Sequence, residues 1–323
     1  MKIAILGGGS CFALDFARLL HSSGIEHFGI GRSKPKSAPF WLLDHHYRYW
    51  DLHLVNQLDA VMGVLDTECP DIIVNWCAQG EGASSFTDYA PDFFMTNTVA
   101  LVRLVLELQK RSYLRRFVQI GSSEVYGSTE KPAKETDCLR PTSPYSASKA
   151  AFDHYLDSMW RTAKFPMNIV RPSNCYVEGQ QLHRIIPKAI VFALTGRKLP
   201  LHGGGKAQKS YLHARDLSKA IMAVIERAAP GASYNVAPTS SISIGALVGF
   251  VAETCGVSFD ELVEESPDRV GQDAKYLLDA TAIARDCGWT MTVGLARGLE
   301  GMVSWVRKYP ELLTMPTTYE HRR

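Results

Sequence analysis

The chain opens with the sequence KIAILGGGSCFA, at residues 2–13. A short apolar run is followed at once by three glycines, and then by a helical pattern of Leu14, Ala17 and Leu20. A strand, a glycine-rich turn and a helix in this order are typical of the first βαβ unit of a nucleotide-binding fold. The glycines let backbone N–H groups and the helix N-terminus approach a pyrophosphate. This stretch therefore predicts dinucleotide contacts at Gly7, Gly9, Ser10, Cys11 and Phe12.

The alternation of strands and helices continues through the first half of the chain. Strands separated by helices indicate parallel strands joined by right-handed crossovers. The sequence thus predicts an α/β fold with a Rossmann-type, doubly wound parallel sheet. Strands are predicted at residues 27–30, 71–76, 116–120 and 167–170, and helices at residues 54–68, 91–111 and 145–161.

The pattern changes after Arg171, where loops rich in glycine, proline and polar residues begin. We expect a dinucleotide-binding domain at residues 1–171, a smaller C-terminal substrate-binding lobe at residues 172–314 that interleaves with it, and a disordered tail at residues 315–323. Short strands are predicted at residues 199–201 and 233–236, and helices at residues 185–195, 214–227, 244–255 and 294–308.

Composition narrows the class of protein. The 323 residues are 46% apolar and 21% charged, with a net charge of +2, which is the composition of an ordinary soluble protein. That charge argues against a dedicated nucleic-acid surface. The sequence has no apolar run of the roughly 18 residues needed to cross a bilayer, and its first residues do not show the basic segment and long apolar core expected of a signal peptide. We therefore expect neither nucleic acid nor membrane as a partner, and a cytoplasmic location.

The seven cysteines are scattered and show neither a CxxC pair nor the spacing of metal ligands. Reduced thiols in a cytosolic protein explain them. His45 and His46 are adjacent in sequence, so their side chains point in different directions, and a third ligand is not evident nearby. The sequence predicts no metal site.

The end of the second predicted strand bears on the choice of cofactor. An NAD site usually places an acidic residue here, whereas a basic residue accommodates the 2′-phosphate of NADP. This chain carries Arg32 and Ser33 there, followed by Lys34 and a further lysine. The pattern favours NADP over NAD, with a solvated basic loop as the alternative. The adenine edge is assigned to Asp51 and Leu52, which follow the third strand.

The sequences GSSEVYG and SPYSASK, at residues 121–127 and 143–149, contain candidate catalytic groups. On a helix, Tyr145 and Lys149 lie about one turn apart on one face. The ammonium group favours the phenolate form of the tyrosine, and lowering the phenol pKa by about three units takes roughly 4 kcal/mol. Because such pairs also occur on ordinary exposed helices, the neighbouring motifs decide the interpretation.

Taken together, these segments resemble the extended branch of the short-chain dehydrogenase/reductase family, specifically its nucleotide-sugar epimerases and dehydratases. The resemblance runs from Lys2 to about Trp305 and includes NWCAQ at residues 75–79 and RPSNCY at residues 171–176. It implies cofactor contacts from Cys77, Ala78, Gln79, Asn97, Tyr145, Lys149 and Pro172. It implies substrate contacts from Gln79, Glu81, Ser122, Asn174, Lys209, Tyr211 and Arg269.

Several positions depart from the family pattern. Ser10 and Ala13 stand where the usual loop has glycines; both are small, so we expect the fold to survive. Val177 and Glu178 replace the usual Gly-Pro. Lys209 replaces an arginine that grips a substrate phosphate, which keeps the charge but loses the bidentate fork.

The resemblance also implies a reaction. In the family, the tyrosine removes a proton from a sugar hydroxyl while hydride passes to the nicotinamide. In 4,6-dehydratases a glutamate at the position of Glu124 then removes the proton beside the new ketone, because oxidation acidifies that proton. The implied catalytic residues are Ser122, Ser123, Glu124, Tyr145 and Lys149.

A second dehydratase-like stretch is DRVGQDAKY, at residues 268–276, in which Arg269 would hold the nucleotide diphosphate. The resemblance favours a nucleotide-sugar 4,6-dehydratase over an epimerase, and both over a decarboxylase or a simple reductase. A binding or structural protein without activity is disfavoured, since Ser122, Tyr145 and Lys149 are all present.

The implied partners are a nucleotide-diphosphate sugar and a second copy of the chain. Related proteins pair two helices across a two-fold axis, and the matching helices here are those predicted at residues 91–111 and 145–161. The alternative is that their apolar residues pack within one subunit. The apolar surface would come from Phe152, Tyr155, Leu156, Met159 and Trp160.

Overall fold

The computed structural model describes residues 1–32, 39–40, 47–80, 83–267, 275 and 277–321. The strands in this part of the chain are β1 (Lys2–Leu6), β2 (Glu26–Gly31), β3 (Tyr49–Asp51), β4 (Ile72–Asn75), β5 (Arg116–Ile120), β6 (Met167–Pro172), β7 (Asn174–Tyr176), β8 (Leu199–His202), β9 (Gln208–Lys209), β10 (Tyr211–His213), β11 (Ser233–Val236), β12 (Ile242–Ser243) and β13 (Val263–Ser266).

The helices of the described residues separate most of these strands. They are α1 (Cys11–Ser22), α2 (Leu58–Glu68), α3 (Ala90–Phe94), α4 (Ala100–Leu108), α5 (Pro144–Ala163), α6 (Ile185–Thr195), α7 (Ala214–Arg227), α8 (Ile244–Cys255), α9 (Phe259–Leu262), α10 (Thr281–Cys287) and α11 (Leu295–Lys308). Single 3₁₀ turns lie at Ala83–Phe86, Ser123–Tyr126, Gly203–Gly205 and Pro310–Thr314.

Seven parallel strands form the central sheet, in the order β3-β2-β1-β4-β5-β6-β11. Side chains alternate across β1: Ile3 and Ile5 pack with α1, α7 and α10, whereas Ala4 and Leu6 pack with α2, α4 and α5. Both faces of the sheet are therefore covered by helices, as in doubly wound proteins. The predicted Rossmann-type fold is confirmed, and the strand order reverses between β1 and β4.

A second apolar core is built by residues that follow β6. It consists of α6, α8 and α11 with β8 and the aromatic side chains Tyr176 and Tyr211. Three short strand pairs accompany it: β7 with β10, β8 with β13 and β9 with β12. The chain leaves the sheet after β6, forms part of this lobe, and returns to the sheet at β11.

The helix predicted at residues 91–111 is divided in the structure. A π-turn at Met95–Val99 joins α3 to α4, and the buried Asn97 lies within it. A π-turn places one extra residue in the helix and is frequent at functional sites. Apolar periodicity predicts the helix, but it does not reveal this local widening because the flanking turns keep a helical pattern.

Helix α2 begins later than the predicted residue 54. The His53 backbone N–H donates to the Gln57 side-chain Oε1 at 2.7 Å, which holds residues 53–57 in a turn. The helix therefore starts at Leu58. Side-chain-to-backbone bonds of this kind compete with helix formation locally.

The prediction of disorder at residues 315–323 is wrong for residues 315–321. This segment has no helix or strand, yet Thr317 is only 5% exposed and the ring of His321 stacks on Tyr89 with centroids 3.9 Å apart. This ordered packing could not be predicted from the sequence, because the segment lacks periodicity and is held by contacts with residues distant in the chain.

The apolar side chains of α5 expected at a subunit interface pack mostly within this subunit. Phe152 and Leu156 are buried in the core between α5 and the sheet. Tyr155, Met159 and Trp160 pack against the same core while partly exposed. These residues therefore offer less surface to a partner than predicted.

Among the helices that the structure describes, none has both the length and the apolar character needed to cross a bilayer.

Candidate active site

Two adjoining cavities lie at the carboxyl ends of the central strands. The first has a volume of about 560 Å³ and the second about 530 Å³, which is the size range of ligand sites. Ser10, Trp76 and Ala78 line both. The cavities therefore form a continuous cleft at the point where the strand order reverses, which is where doubly wound proteins bind their ligands.

The residues after β5 form one side of the first cavity. Ser122 has extended backbone (φ −155°) and caps the 3₁₀ turn, its Oγ accepting from the Glu124 N–H at 3.2 Å. Ser122 and Ser123 are buried, and Glu124 is half-buried. All three line the cavity. The cap thus holds a carboxylate and two hydroxyl groups at the end of the strand.

Helix α5 supplies the Tyr–Lys pair. Its start is fixed by a capping box between Ser143 and Ser146, with Pro144 at the first helical position. Tyr145 follows directly, half-buried, and its ring packs edge-on against Phe93 at 6.2 Å between centroids. Tyr145 and Lys149 both line the first cavity with Ser122 and Glu124, so the structure brings the predicted catalytic groups together.

Lys149 is buried to 3% exposure, and its Nζ donates to the Ile120 carbonyl at 2.7 Å. Burial lowers the pKa of the lysine to about 8, although Asp153, one turn further along α5, works in the opposite direction. The ammonium group is therefore mostly present at neutral pH, close to the end of β5. A cation in this position can stabilise a phenolate.

A chain of buried amides supports that position. The Asn75 Nδ2 donates to the Gln119 Oε1 at 2.7 Å, and the Gln119 Nε2 donates to the Ile120 carbonyl at 2.8 Å. Lys149 donates to the same carbonyl. Neighbouring strand ends are thus linked to α5 by side-chain hydrogen bonds.

Asn97 joins the cofactor side of the cleft to α5. Its Oδ1 accepts from the Gln79 N–H at 2.7 Å, and its Nδ2 donates to the Gln79 carbonyl at 3.0 Å. The same Nδ2 also donates to Ser148 Oγ, which in turn donates to the Tyr145 carbonyl at 2.7 Å. Asn97 is fully buried and lines neither cavity. Its position favours a positioning role over direct cofactor contact.

The second cavity begins at the glycine loop. Gly7 has φ +72°, and a Cβ there would lie 2.8 Å from the backbone nitrogen of Cys77, so the loop packs closely on the end of β4. Ser10 caps α1 through its Oγ, which accepts from the Ala13 N–H at 3.2 Å. Gly9, Ser10 and Cys11 line the cavity. The N-terminus of α1, whose first turn lacks acidic residues, suits a pyrophosphate.

Some of the other residues predicted to contact the cofactor line this second cavity, and others do not. Arg32, Leu52, Cys77, Ala78 and Gln79 line it, whereas Phe12 and Pro172 line the first cavity. The Arg32 Nη2 donates to the Gln79 Oε1 at 3.3 Å. Asp51 is exposed and lines neither cavity, whereas the nearby His53 lines the second cavity. Ser33 and Lys34 lie outside the described residues.

Two thiols, those of Cys11 and Cys77, line the second cavity. Burial raises the pKa of both Cys11 and Cys77 to about 12, so both are neutral thiols at physiological pH. Among the described residues, no three or more His, Cys, Asp or Glu side chains are grouped so that they could hold a metal ion.

The substrate side combines predicted and unpredicted residues. Of the residues predicted to contact the substrate, Asn174, Lys209 and Tyr211 line the first cavity, and Gln79 lines only the second. Glu81 and Arg269 lie outside the described residues. His202 also lines the first cavity.

Arg184 and Lys188 also line the first cavity, and neither is among the site residues predicted from the sequence. Arg184 is the N-cap of α6, and Lys188 lies in its first turns. Cations are unfavourable at this end of a helix because of the helix dipole. Two of them, spaced i, i+4 on the helix that follows RPSNCY, are therefore a sequence signal for an anionic ligand.

The comparisons with known proteins give the family. Residues 3–237 match the model of the NAD dependent epimerase/dehydratase family. The chain belongs to this family.

Two curated relatives of the family are dTDP-glucose 4,6-dehydratases. The protein from Streptomyces griseus is 35% identical over 240 residues, which cover 74% of this chain and 72% of that protein. The protein from Streptomyces niveus is 32% identical over 319 residues, covering 95% and 93%. The similarity therefore extends over nearly the whole chain.

Solved structures of the family have the same fold. The dTDP-glucose 4,6-dehydratase from Streptomyces venezuelae, solved with NAD bound, is 26% identical, with a TM-score of 0.87 over 96% of this chain and 98% of that chain. A UDP-glucose 4-epimerase from Thermotoga maritima reaches the same TM-score at 21% identity, with 95% and 99% covered. At that identity the likeness concerns the fold alone.

Proposed function

We propose that this protein is a nucleotide-sugar 4,6-dehydratase. The observation that carries the proposal is the presence of Glu124 in the same cavity as Tyr145 and Lys149. A dehydratase needs a second base for a carbon-bound proton, besides the group that deprotonates the hydroxyl. The names of the relatives from Streptomyces griseus and Streptomyces niveus support the same reaction.

In the first step, Tyr145 takes the proton of the sugar 4-hydroxyl. The ammonium of Lys149, held by the Ile120 carbonyl, favours the phenolate that accepts it. Ser122 lies on the same cavity wall and orients the hydroxyl group. When bound, the nicotinamide cofactor accepts a hydride from carbon 4 and later returns it to carbon 6. The sugar is then a 4-ketone.

In the second step, Glu124 removes the proton from carbon 5, which the adjacent ketone has acidified. The bond between carbon 6 and its hydroxyl breaks, and water leaves with a proton supplied through Ser123 or a solvent molecule. Hydride return at carbon 6 and a proton at carbon 5 complete a 4-keto-6-deoxy sugar. The net change is the loss of one water, with no net oxidation.

Epimerisation is the alternative function. It requires only the Tyr145–Lys149 pair and rotation of the ketone, and the fold is shared with a UDP-glucose 4-epimerase. Glu124 would then have no chemical role. The cavity position of this carboxylate is the reason for preferring dehydration.

The cofactor is proposed to be NADP, with NAD as the alternative. Arg32 lies at the cavity where the ribose of a dinucleotide would sit, and the absence of an acid at this point of the sequence supports a 2′-phosphate. Against this, the dehydratases from Streptomyces venezuelae and Bacillus anthracis were solved with NAD. The binding comparison described in the Discussion decides between them.

The proposed substrate is a nucleotide-diphosphate sugar. Arg184, Lys188 and Lys209 place three cationic side chains around the first cavity, which suits a diphosphate. Tyr211 offers an aromatic ring to the base or ribose.

Two further points stay predictions. They are the division at residue 171 into a cofactor domain and a substrate lobe, and the cytoplasmic location.

A homodimer is also proposed. Met95, Val99 and Leu106 are exposed by 45%, 42% and 47%, at helical spacing on α4 and the preceding π-turn. An exposed apolar stripe of this kind suits a helix-to-helix interface. Sedimentation of the protein and of a Val99→Glu/Leu106→Glu variant tests it: the dimer should dissociate in the variant.

The test of the function is mass spectrometry after incubation with UDP-, dTDP-, CDP- and GDP-hexoses, without added cofactor and then with NADP or NAD. A product lighter by one water supports dehydration and identifies the nucleotide. An unchanged mass with inverted stereochemistry by NMR would replace the proposal with epimerisation.

A further inference from the structure

The segment at residues 315–321 crosses the cleft between the two apolar cores. At its start, Met315 packs against the core of α6, α8 and α11. Thr317 is buried, and its Oγ1 accepts from the Arg197 Nη2 at 3.3 Å. This end of the segment is therefore fixed to the substrate lobe.

The other end of the segment is fixed to the Rossmann side. The His321 ring stacks on Tyr89 with an interplanar angle of 4°, and its Nε2 pairs with the Asp92 Oδ2 at 2.9 Å. The same ring contacts Phe93, with centroids 6.0 Å apart, and Phe93 packs on Tyr145. His321 is thus separated from the catalytic tyrosine by one aromatic side chain.

Between these anchors, Tyr319 reaches the cofactor channel. The Gln79 Nε2 donates to the Tyr319 hydroxyl at 3.2 Å, and the ring of Tyr319 packs edge-on against His183 at 5.2 Å. Gln79 is held by Asn97 and accepts from Arg32. A hydrogen-bonded row from Arg32 through Gln79 to Tyr319 therefore connects the segment to the second strand.

The segment also forms a wall of the second cavity. Gly7, Gly9 and Arg32 line that cavity, and so do Pro316 and Tyr319. Met315, Thr318 and Glu320 line it as well. A dinucleotide on the glycine loop would share this cavity with the segment.

We propose that residues 315–321 form a strap across the cofactor channel, in which Tyr319 and His321 retain the bound nicotinamide dinucleotide. The glycine loop and this segment line the same cavity, so the dinucleotide leaves only when the anchors at Thr317 or His321 open. The need for retention rests on the proposed dehydratase reaction, because the hydride taken from carbon 4 must return to the same sugar.

Release of the cofactor tests the strap in the absence of any sugar. NADH and, separately, NADPH are bound to the 323-residue protein and displaced with excess oxidised cofactor, while the fluorescence decay gives the release rate. His321→Ala removes the stack on Tyr89 and the hydrogen bond with Asp92, and Tyr319→Phe removes the hydroxyl that Gln79 contacts. Contacts of this kind act mainly on release, so we expect about 10- to 100-fold faster release for His321→Ala.

His21→Ala is the matched control, because His21 is an exposed histidine near the far end of α1. Its release rate should equal that of the unchanged protein. Thr317→Val provides a milder variant that loosens the other anchor, in case His321→Ala unfolds. Thermal unfolding of each variant verifies the fold.

Release within twofold of the unchanged protein in Tyr319→Phe, Thr317→Val and any folded His321→Ala variant would overturn the strap. Faster association with unchanged release would also overturn it, since the segment would then only obstruct access. Neither result depends on the sugar chemistry, so the proposed dehydratase activity is tested separately by the product mass.

Discussion

The two cavities differ in how far apart in sequence their lining residues lie. One side of the first cavity is formed by residues close together in sequence, whereas the walls of the second are formed by residues far apart in sequence. The catalytic side comes from two short segments, residues 121–127 and 143–149, each fixed by its own cap. The second cavity is enclosed by the glycine loop, the end of β4 and residues 315–321. The first arrangement depends on local backbone geometry, and the second depends on long-range packing.

The strongest way to break the local arrangement is to remove the tyrosine hydroxyl. Tyr145→Phe should lower kcat about 100- to 10,000-fold, the range for loss of a general base, while leaving the fold intact. Tyr155→Phe on the same helix is the control, because its buried hydroxyl has no hydrogen-bond partner among the described residues. Turnover assays compare the two. Comparable rates in both variants would contradict the role of Tyr145.

The next test separates the two chemical steps. Glu124→Gln keeps the side-chain volume but removes the base, so elimination should fall about 100- to 1,000-fold while slow oxidation at carbon 4 continues. Absorbance should show reduced cofactor accumulating, and mass spectrometry should show no dehydrated product. The exposed Glu130→Gln serves as the control. Dehydration at the parental rate in Glu124→Gln would remove Glu124 from the mechanism.

The burial of Lys149 makes stability depend on pH. Its pKa in the folded chain is about 8, against an ordinary 10.5, so the folded state disfavours the charged form. That cost is fully present below pH 8 and disappears as pH rises from 8 to 10.5, changing the unfolding free energy by roughly 3 kcal/mol.

Lys149→Met has no such titration, and the Ile120 carbonyl keeps its bond from Gln119. The unfolding free energy of the parent, relative to that of Lys149→Met, should therefore rise between pH 8 and 10.5. Chemical denaturation across this range measures both proteins, and other titrating groups cancel in the difference. A flat difference would contradict the depressed pKa.

On the wall of the first cavity, Lys188→Met removes a charge while keeping a stem of similar length against Phe192, over whose ring the ammonium lies at 5.5 Å. If the cation binds the diphosphate, the substrate KM should rise about 10- to 100-fold with little change in kcat. Steady-state kinetics tests this, with the exposed Lys206→Met as control. An unchanged KM would exclude Lys188 from substrate binding.

The smallest expected effect concerns the cofactor. Arg32→Ala should weaken NADP about tenfold and NAD less than threefold, because only NADP carries the 2′-phosphate. Titration calorimetry of both cofactors measures the difference, with the exposed Arg161→Ala as reference. Equal losses of affinity for the two cofactors would contradict the NADP proposal and favour NAD.

Features set by local geometry could be predicted from the sequence, whereas features set by long-range packing could not. The sheet, the glycine loop and the Tyr145–Lys149 spacing are readable because each is set within a few residues. The position of Asn97 in a π-turn is not, since the turn depends on its bonds to Gln79 and Ser148. The segment at residues 315–321 lacks any periodicity, and its order comes from partners such as Arg197 and Asp92.

Arg184 and Lys188 are an intermediate case. Their types and spacing were visible in the sequence, but their meaning depends on the start of α6, where cations are unfavourable without an anion. Apolar residues of α5 were assigned to an interface because periodicity does not distinguish the face toward the sheet from a face toward a partner. Phe152 and Leu156 face the sheet.

The amide chain through Asn75 and Gln119 has a spectroscopic consequence. The Gln119 side-chain NH₂ and the Lys149 ammonium donate to the same Ile120 carbonyl. A neutral amine is a weaker donor than an ammonium group, so loss of the lysine proton weakens the bond from Lys149 to that oxygen and shifts the electron density of the glutamine amide. Because Gln119 is 1% exposed, its ¹⁵N-labelled side-chain resonance acts as an internal indicator of the charge on Lys149, readable without substrate.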